Sequence, residues 1–557
     1  MPFRLSSIPR PRARARVLPA VHRQFPRPSS HPAHQRRQKP PLPSSVPAPT
    51  RSHQPTIYAL STPPGKSAIA VIRISGPSAL QIYTSLTGGG APTPRRALLR
   101  AIRHPQTHEV LDPGALCLFF AGPRSHTGED VVELHVHGGP AVIRAVLAAI
   151  PLATSGDAVA RYAEPGEFTR RAFYNERLSL PAVEALGETL DAATEEQRRR
   201  AVRGAGLAER YEAWRRLLVL ARGELEALID FAEDQHFEES NRELVAGVEL
   251  KVRRLRDRLR VHASNAVRGE LLKDGISLSL VGAPNVGKSS LLNTIVGREA
   301  AIVSAEAGTT RDVVDLAVDV GGFMVVLGDT AGLRVDDVGV GMVEEEGIRR
   351  AKARALSADV VVAVVDADGS VGLRISCELE KLVNEVEEAG KVVVAVVNKT
   401  DLLPHHHYPH HHSDSLPMDI VRQVNDAFPN IRDERVFGVS CRKGAERGIQ
   451  RLLDGLTKIF RQMTSPLGPA DSGASAAEMC ESIGATERQR VLVEACISFL
   501  DDFLGMVEGG EDVDVVVAAE ELRGAAECLG RITGRGEMAG DVEEVLGVVF
   551  EKFCVGK

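Results

Sequence analysis

The sequence predicts a multidomain protein that combines α/β and α-helical architecture. Three observations predict it. Residues 56–170 alternate short apolar runs with turns, as strands do. From about Arg170 to Gly269 there is little Gly or Pro, and apolar residues recur at i, i+3 and i+4; this helical pattern returns after Glu481 and runs to the C-terminus. Between the two helical stretches lie strand-sized apolar runs, Ile276–Val281, Phe323–Leu327, Asp359–Val365, Val392–Val397 and Val436–Val439, separated by helix-length segments. That alternation predicts a doubly wound α/β sheet. The simplest organisation is a leader (1–54), an N-terminal domain (55–170), a helical domain in two pieces (171–272 and 481–557), an inserted α/β domain (273–465) and a linker (466–480).

Composition narrows the class. A chain of 557 residues holds about two to four domains. Its longest apolar runs are strand-sized, so no membrane span is expected. Seven cysteines, an odd number with no C-x-x-C pair, argue for reduced thiols in an intracellular compartment and against a disulfide framework or zinc site. Residues 1–54 carry eleven Lys and Arg and no acidic residue. Without them 57 basic residues face 74 acidic ones, a balance of −17. The body is therefore not an obvious nucleic-acid clamp; a polyanionic partner needs a local basic patch or a second protein. The leader reads as an organelle targeting peptide, Arg- and Ser-rich and acid-free, because its bias stops where strands begin. The competing reading is a disordered basic arm that binds RNA.

Taken in order, a strand begins at Thr56 and another spans Ala68–Ser75, with a helix from Ser78. Residues 88–114 read as loop and connecting strand, followed by a strand over Ala115–Phe120. In Gly128–His137 polar and apolar residues alternate with the strand period, so Glu133, His135 and His137 share one face. A solvated or ligand-facing side explains them better than a metal, since no further ligand has a helpful spacing. Pro165-Gly-Glu-Phe-Thr169 introduces the helical region. His405-His-His-Tyr-Pro-His-His-His412 reads as a low-complexity surface loop rather than a metal tract. The C-terminal Phe553-Cys-Val-Gly-Lys557 is either a frayed tail or a reactive thiol at a helix end; as a prenylation signal it fits poorly.

The chemistry starts at Gly282-Ala-Pro-Asn-Val-Gly-Lys-Ser-Ser290, between the strand Ile276–Val281 and a helix-opening Leu291-Leu292-Asn293. Strand, glycine-rich turn and helix are the context of a P-loop. Its backbone N–H groups, from Asn285, Val286, Gly287 and Ser290 among others, wrap phosphate oxygens; Lys288 reaches the β- and γ-phosphates and the Ser289 hydroxyl sits on Mg²⁺. Four segments follow in the order a guanine-nucleotide fold requires. In Gly308-Thr-Thr-Arg-Asp312, Thr310 offers a hydroxyl to Mg²⁺ beside the γ-phosphate. In Asp329-Thr330-Ala331-Gly332, the carboxylate holds a Mg²⁺-bound water and the Gly332 N–H senses the γ-phosphate. In Asn398-Lys399-Thr400-Asp401, the Asp401 carboxylate accepts from N1–H and the N2 amine of guanine, a donor pair that adenine lacks. Ser440-Cys441-Arg442 touches the base through backbone N–H. Each string alone is weak, but the ordered set at strand ends predicts a GTP-binding domain.

Leu333 occupies the position where many GTPases place a water-orienting Gln. Asn285 then becomes a candidate ligand for a monovalent cation, with carbonyls of the 304–310 loop. Val343-Glu-Glu-Glu346 offers a carboxylate that orders water, although from spacing alone it is an exposed helix start.

These residues together resemble the tRNA-modification GTPase MnmE (TrmE) family in its mitochondrial form, over about 55–557. The resemblance rests on Thr62-Pro-Pro-Gly65 with Val71-Ile-Arg-Ile-Ser-Gly76, Thr127-Gly-Glu-Asp-Val-Val-Glu-Leu134 with His137-Gly-Gly-Pro140, Pro165–Phe173, the GTPase set and the terminal Phe-Cys-Val-Gly-Lys. It implies an N-terminal α+β domain like a tetrahydrofolate-binding fold, which mediates homodimerisation and takes a 5-formyl- or 5,10-methylene-tetrahydrofolate near Arg73, Glu133, Arg177 and Lys557. Arg177 stands where the family usually has Lys. It further implies K⁺ held by Asn285 with Ser304, Glu306 and Thr309, water ordered by Glu344, and a modification step that needs Cys554. The implied reaction adds a carboxymethylaminomethyl-type group to C5 of the wobble uridine of organellar tRNA, with an FAD-dependent partner of the MnmG family. The expected location is the mitochondrial matrix, with the plastid as alternative. A ribosome-assembly GTPase switch without covalent chemistry is the competing class; it is disfavoured because the C-terminal region is acidic and helical, without a basic Gly-x-x-Gly loop.

Overall fold

The computed structural model describes residues 54–156, 158–231, 238–299, 302–304, 316–327, 349, 352–368, 372–403, 416–442, 448–468, 475–508, 514–535, 547 and 556. The leader and the His405–His412 tract lie outside them. The N-terminal region runs β1 (Thr56–Leu60), β2 (Ile69–Ser75), α1 (Ala79–Thr87), β3 (Leu98–Arg103), β4 (Val110–Phe120), β5 (Val131–His137), α2 (Pro140–Ala149), β6 (Ala160–Tyr162) and α3 (Glu167–Tyr174). Its six-stranded sheet has the order β3-β4-β5-β2-β1-β6 and is antiparallel except for the β1–β6 pair. One face is packed by α1 and α2 through residues such as Ile72, Ile74, Leu134, Val136, Ile82 and Val146. The alternate residues, Arg73, Glu133 and His135 among them, are only part-exposed and occupy the opposite face.

The helical region expected from about Arg170 is a set of separate helices: after α3 come α4 (Leu180–Asp191), α5 (Glu195–Gly204), α6 (Leu207–Phe231) and α7 (Glu238–Asp274). Caps break it. Ser179 accepts from Ala182 N as the N-cap of α4, with Pro181 in its first turn, and Thr194 with Gln197 forms a capping box that starts α5. The sheet domain follows with β7 (Ile276–Val281), α8 (Lys288–Glu299), β8 (Ile302–Ser304), β9 (Leu316–Val320), β10 (Phe323–Leu327), β11 (Val360–Asp368), β12 (Gly372–Arg374), α9 (Cys377–Glu388), β13 (Val392–Asn398), α10 (Met418–Ala427), β14 (Val436–Gly438) and α11 (Ile449–Thr464). The sheet order is β14-β13-β11-β7-β10-β9-β8, with β12 on β11. The strands from β14 to β10 are mutually parallel. Each valine-rich central strand therefore buries both faces, one against α8 and α11 and the other against α9 and α10.

The apolar runs anticipated from sequence all form strands. The short β8, β9 and β12 were not anticipated; β9 pairs antiparallel with β10 through a turn at Gly321-Gly322, both with positive φ. Residues 466–480 are not wholly linker: Ser475 and Glu478 form a capping box and α12 (Ala476–Ser482) begins there. Then come α13 (Glu487–Glu508) and α14 (Val515–Thr533), which pack on α6 and α7 around Leu218, Val252, Leu500 and Leu522. Among the described residues, no helix is long and apolar enough to cross a membrane.

Candidate nucleotide-binding site

The carboxyl ends of β7, β11, β13 and β14 meet along one edge of the sheet. This is where ligands settle in open α/β sheets. Two glycines shape the loop after β7. At Gly282, φ is +152° and an added Cβ would lie 2.3 Å from Val364 O on β11; at Gly287, φ is +94° and a Cβ would lie 2.2 Å from Asn398 Nδ2. Asn285 also has a positive φ, of 63°, and is exposed. Lys288 opens α8, and its ammonium donates to Gly282 O at 2.8 Å and Ala283 O at 2.9 Å. Burial holds it below the usual lysine range. An arriving phosphate can replace those carbonyls as its partner. Ser289 and Ser290 are exposed in the first turn of α8, where helix N–H groups have no intrahelical acceptor.

The segment Asn398–Asp401 is tied to this loop. Asn398, at the end of β13, is buried and donates from Nδ2 to Val286 O at 2.8 Å, while its Oδ1 is buried without a partner. Lys399 has a φ of 58° and pairs with Asp366 Oδ2 at 3.0 Å. Asp366 was not singled out in the sequence; it lies opposite Asn398 in the β11–β13 register, and only that pairing reveals it. Ser440 Oγ donates to Asp401 Oδ1 at 2.7 Å and Arg442 Nη1 is 3.8 Å from Asp401 Oδ2, so the carboxylate is oriented from the β14 side. Cys441 is half-buried. Phosphate loop, Asn398–Asp401 and Ser440–Arg442 thus form one rim. Ser304 ends β8. Glu306, Thr309, Thr310, Asp329, Thr330, Ala331, Gly332, Glu344, Cys554 and Lys557 lie outside the described residues.

A second polar cluster occupies the N-terminal sheet. Arg73 and Glu133 are register partners on β2 and β5, and Arg73 Nε and Nη2 donate to Glu133 Oε1 at 3.0 and 2.9 Å. The guanidinium also lies 5.7 Å from the Phe168 ring centroid. Glu133 Oε2 is 3.6 Å from His135 Nε2, which is buried without a hydrogen bond. Arg177 Nε donates to Ser125 O at 3.1 Å. His126, adjoining, is held below the usual imidazole range by the protein packed around it and then by the charge of Arg73. The sequence motifs around it have structural work: Arg171 bridges Glu129 and Glu167, and Arg161 pairs with Glu167. His137 is engaged by buried Asp112, its Nδ1 2.9 Å from Asp112 Oδ1. Among the described residues no group of His, Cys, Asp or Glu is arranged to hold a metal. Gly556 is buried, and its carbonyl accepts from Ser61 Oγ at 2.9 Å. The chain terminus is therefore docked beside β1 and β2 at this residue.

The comparisons agree with this division. A family model for the GTP-binding protein TrmE N-terminus matches residues 56–177, and one for the MnmE helical domain matches residues 180–554. The tRNA modification GTPase MnmE of Parvibaculum lavamentivorans is 41% identical over 90% of this chain and 100% of that protein. The mitochondrial tRNA modification GTPase mss1 of Schizosaccharomyces pombe is 39% identical, over 90% of this chain and 95% of its own length. The mitochondrial 5-taurinomethyluridine-tRNA synthase subunit GTPB3 of Homo sapiens is 38% identical, over 90% and 93%. With both flanking domains matched and the nucleotide rim between them, the chain belongs to the MnmE (TrmE) family of tRNA-modification GTPases.

Proposed function

We propose that this protein is a K⁺-dependent mitochondrial matrix GTPase. Together with an FAD-dependent protein of the MnmG family, it adds a carboxymethylaminomethyl-type group to C5 of the wobble uridine of tRNA. The observation that carries this reading is the shared rim of the 282–290 loop and Asn398–Asp401, joined through the Asn398–Val286 hydrogen bond, in a chain of this family. The residues fit a guanine nucleotide: glycines whose Cβ positions are closed, a lysine held by loop carbonyls, and an oriented carboxylate at Asp401.

In this reading Lys288 and the loop N–H groups hold the phosphates, and Ser289 with Thr310 holds Mg²⁺, which supplies charge neutralisation. Asp329–Gly332 answers to the γ-phosphate, and Glu344 orders water. Asn285, Ser304, Glu306 and Thr309 hold K⁺. Arg73, Glu133, Arg177 and Lys557 bind a tetrahydrofolate derivative that provides the one-carbon unit. Glu133 Oε2, which takes no hydrogen bond from Arg73, and the unpartnered His135 Nε2 suit a heterocycle with donors and acceptors. Cys554 takes part in the modification, and the N-terminal domain pairs two copies. The acidic body leaves much of the tRNA grip to the partner protein.

Mass spectrometry of organellar tRNA after deletion of the gene tests the reaction. Loss of the C5 substituent at the wobble uridine is expected; unchanged wobble uridines overturn it. GTP turnover in K⁺ is expected to exceed turnover in Na⁺ sharply, and equal rates remove the cation role of Asn285.

A further inference from the structure

At the opposite end of the sheet, away from the nucleotide rim, one side chain of the helical domain reaches the roots of two neighbouring strands. Gln197 is the third residue of α5. Its Oε1 accepts from Ala193 N at 3.0 Å and Thr194 N at 3.1 Å, completing the capping box. Its Nε2 donates to Lys273 O at 2.8 Å and lies 3.4 Å from Met324 Sδ. Lys273 lies in the last turn of α7, just before β7, and Met324 lies in β10. Beside it, Glu196 N donates to Gly322 O at 3.1 Å, at the tip of the β9–β10 turn. This spends one of the unpaired N–H groups of the α5 N-terminus on the other domain. The turn is itself fixed, since Gly322 N donates to Asp319 Oδ1 at 2.7 Å, and it seats against α11, where a Cβ on Gly321 would lie 2.5 Å from Thr457 Oγ1.

The far end of α5 is anchored with equal firmness. Fully buried Arg200 donates to Ala485 O at 2.7 Å and pairs with Glu188 at 2.6 Å. Gly204 lies so close to Gly484 that a Cβ would come within 2.5 Å of its carbonyl oxygen. Helix α5 is therefore a strut. One end grips the roots of β7 and β10; the other grips the turn that starts α13, the C-terminal part of the helical domain. β7 and β10 are register-paired and cross roughly 15–20 Å to the nucleotide side. There β7 runs into the 282–290 loop, and β10 leads to Asp329–Gly332.

We propose that Gln197 is a positioning residue that couples the nucleotide domain to the helical domain, passing nucleotide-dependent shifts of β7 and β10 into α5. The inference rests on the reading that 282–290 and 329–332 bind GTP. The path is one of contiguous packed and hydrogen-bonded elements. Gln197 suits the role because its oxygen caps its own helix while its nitrogen holds the end of α7 where the chain turns into β7, beside Met324 of β10.

That division gives a clean variant. Gln197→Glu keeps the capping acceptor and removes the donor to Lys273 O, placing a carboxylate against a carbonyl. The assay uses the full chain with its FAD-dependent partner and tRNA, and measures wobble uridines modified per GTP hydrolysed, alongside GDP affinity and the melting temperature. The expected result is unchanged melting and GDP affinity with modification per GTP down about tenfold, the effect of losing one hydrogen bond that is used in coupling. An unchanged ratio overturns the role of Gln197. Wild-type protein that hydrolyses no GTP overturns the nucleotide reading instead. If Gln197→Glu lowers the melting temperature, Glu196→Pro decides. It removes the N–H that meets Gly322 O, together with the Glu196 carboxylate that pairs with Arg199 on the exposed side, in a helical turn that tolerates Pro. A lowered ratio supports the strut, and a wild-type ratio overturns it.

Discussion

Gly287 is the position where the proposed site can be tested most sharply by one added methyl group. Its φ of +94° disfavours any L side chain, and its Cβ would lie 2.2 Å from Asn398 Nδ2. In Gly287→Ala the amide of Asn398 must withdraw, which breaks its 2.8 Å bond to Val286 O. Backbone strain of this kind costs about 1–3 kcal/mol. A buried carbonyl left without its donor costs about 1–3 kcal/mol more. The lower sum, about 2 kcal/mol, corresponds to close to thirtyfold in affinity. The effect falls on nucleotide binding because the strain can relax only if the phosphate loop leaves its present shape. The assay is GDP titration of the full-length variant, with circular dichroism melting as the check on folding. A dissociation constant within about threefold of wild type, in a folded protein, refutes the reasoning, since one hydrogen bond plus strain cannot be so small.

Two further outcomes are expected. Asp401→Asn replaces an acceptor pair by one acceptor and one donor. GTP affinity should fall by about a hundredfold, as two charge-assisted hydrogen bonds imply, while xanthosine triphosphate, which offers a carbonyl in place of the guanine amine, gains relative to it. Competition binding reads this, and unaltered preference for GTP defeats the assignment of Asp401. In the helical core, His262 is buried against Tyr211, with its Nε2 2.8 Å from the phenol oxygen, and burial followed by the charge of Arg210 pushes its pKa down to about 3. The unfolded chain takes up this proton near pH 6.5 and the folded chain only near 3. Stability is therefore full above that window and declines as pH falls through it, by at most about 1.4 kcal/mol per pH unit from this group. His262→Gln should narrow the difference between urea unfolding at pH 7 and at pH 5; an undiminished difference places the dependence elsewhere.

Much of the nucleotide domain was readable because its signals are local. Ile276–Val281 is a strand of the length its apolar run suggests, and Gly282–Ser290 supplies its own turn glycines. The short β9 was missed because Leu316–Val320 carries Asp319 among its apolar residues, and its pairing with β10 supplies what its composition does not. β4 was expected from Ala115 but starts at Val110, because Pro113 and Gly114 read as breakers; Asp112 accepts from Gly114 N and His137 N and carries the strand past them. The continuous helical stretch was divided by caps whose partners lie close in sequence, such as Thr194 with Gln197. That signal was present, and the apolar period overshadowed it.

By itself the sequence determined the long apolar strands and the extent of the helical regions, that a glycine-rich turn follows one strand and opens one helix, and which family the motifs resemble. All of these depend on residues a few positions apart, where backbone sterics and side-chain period act directly. Only the tertiary structure decided that Asn398 clamps the phosphate loop across 112 positions, that Asp366 holds Lys399, that Gly556 returns to Ser61 across 495 positions, and that Gln197 grips the root of the sheet. Those contacts depend on strand order, on register and on which helix end reaches which turn. A local pattern does not specify them, because the free energy of a long-range pairing belongs to the packed layers as a whole.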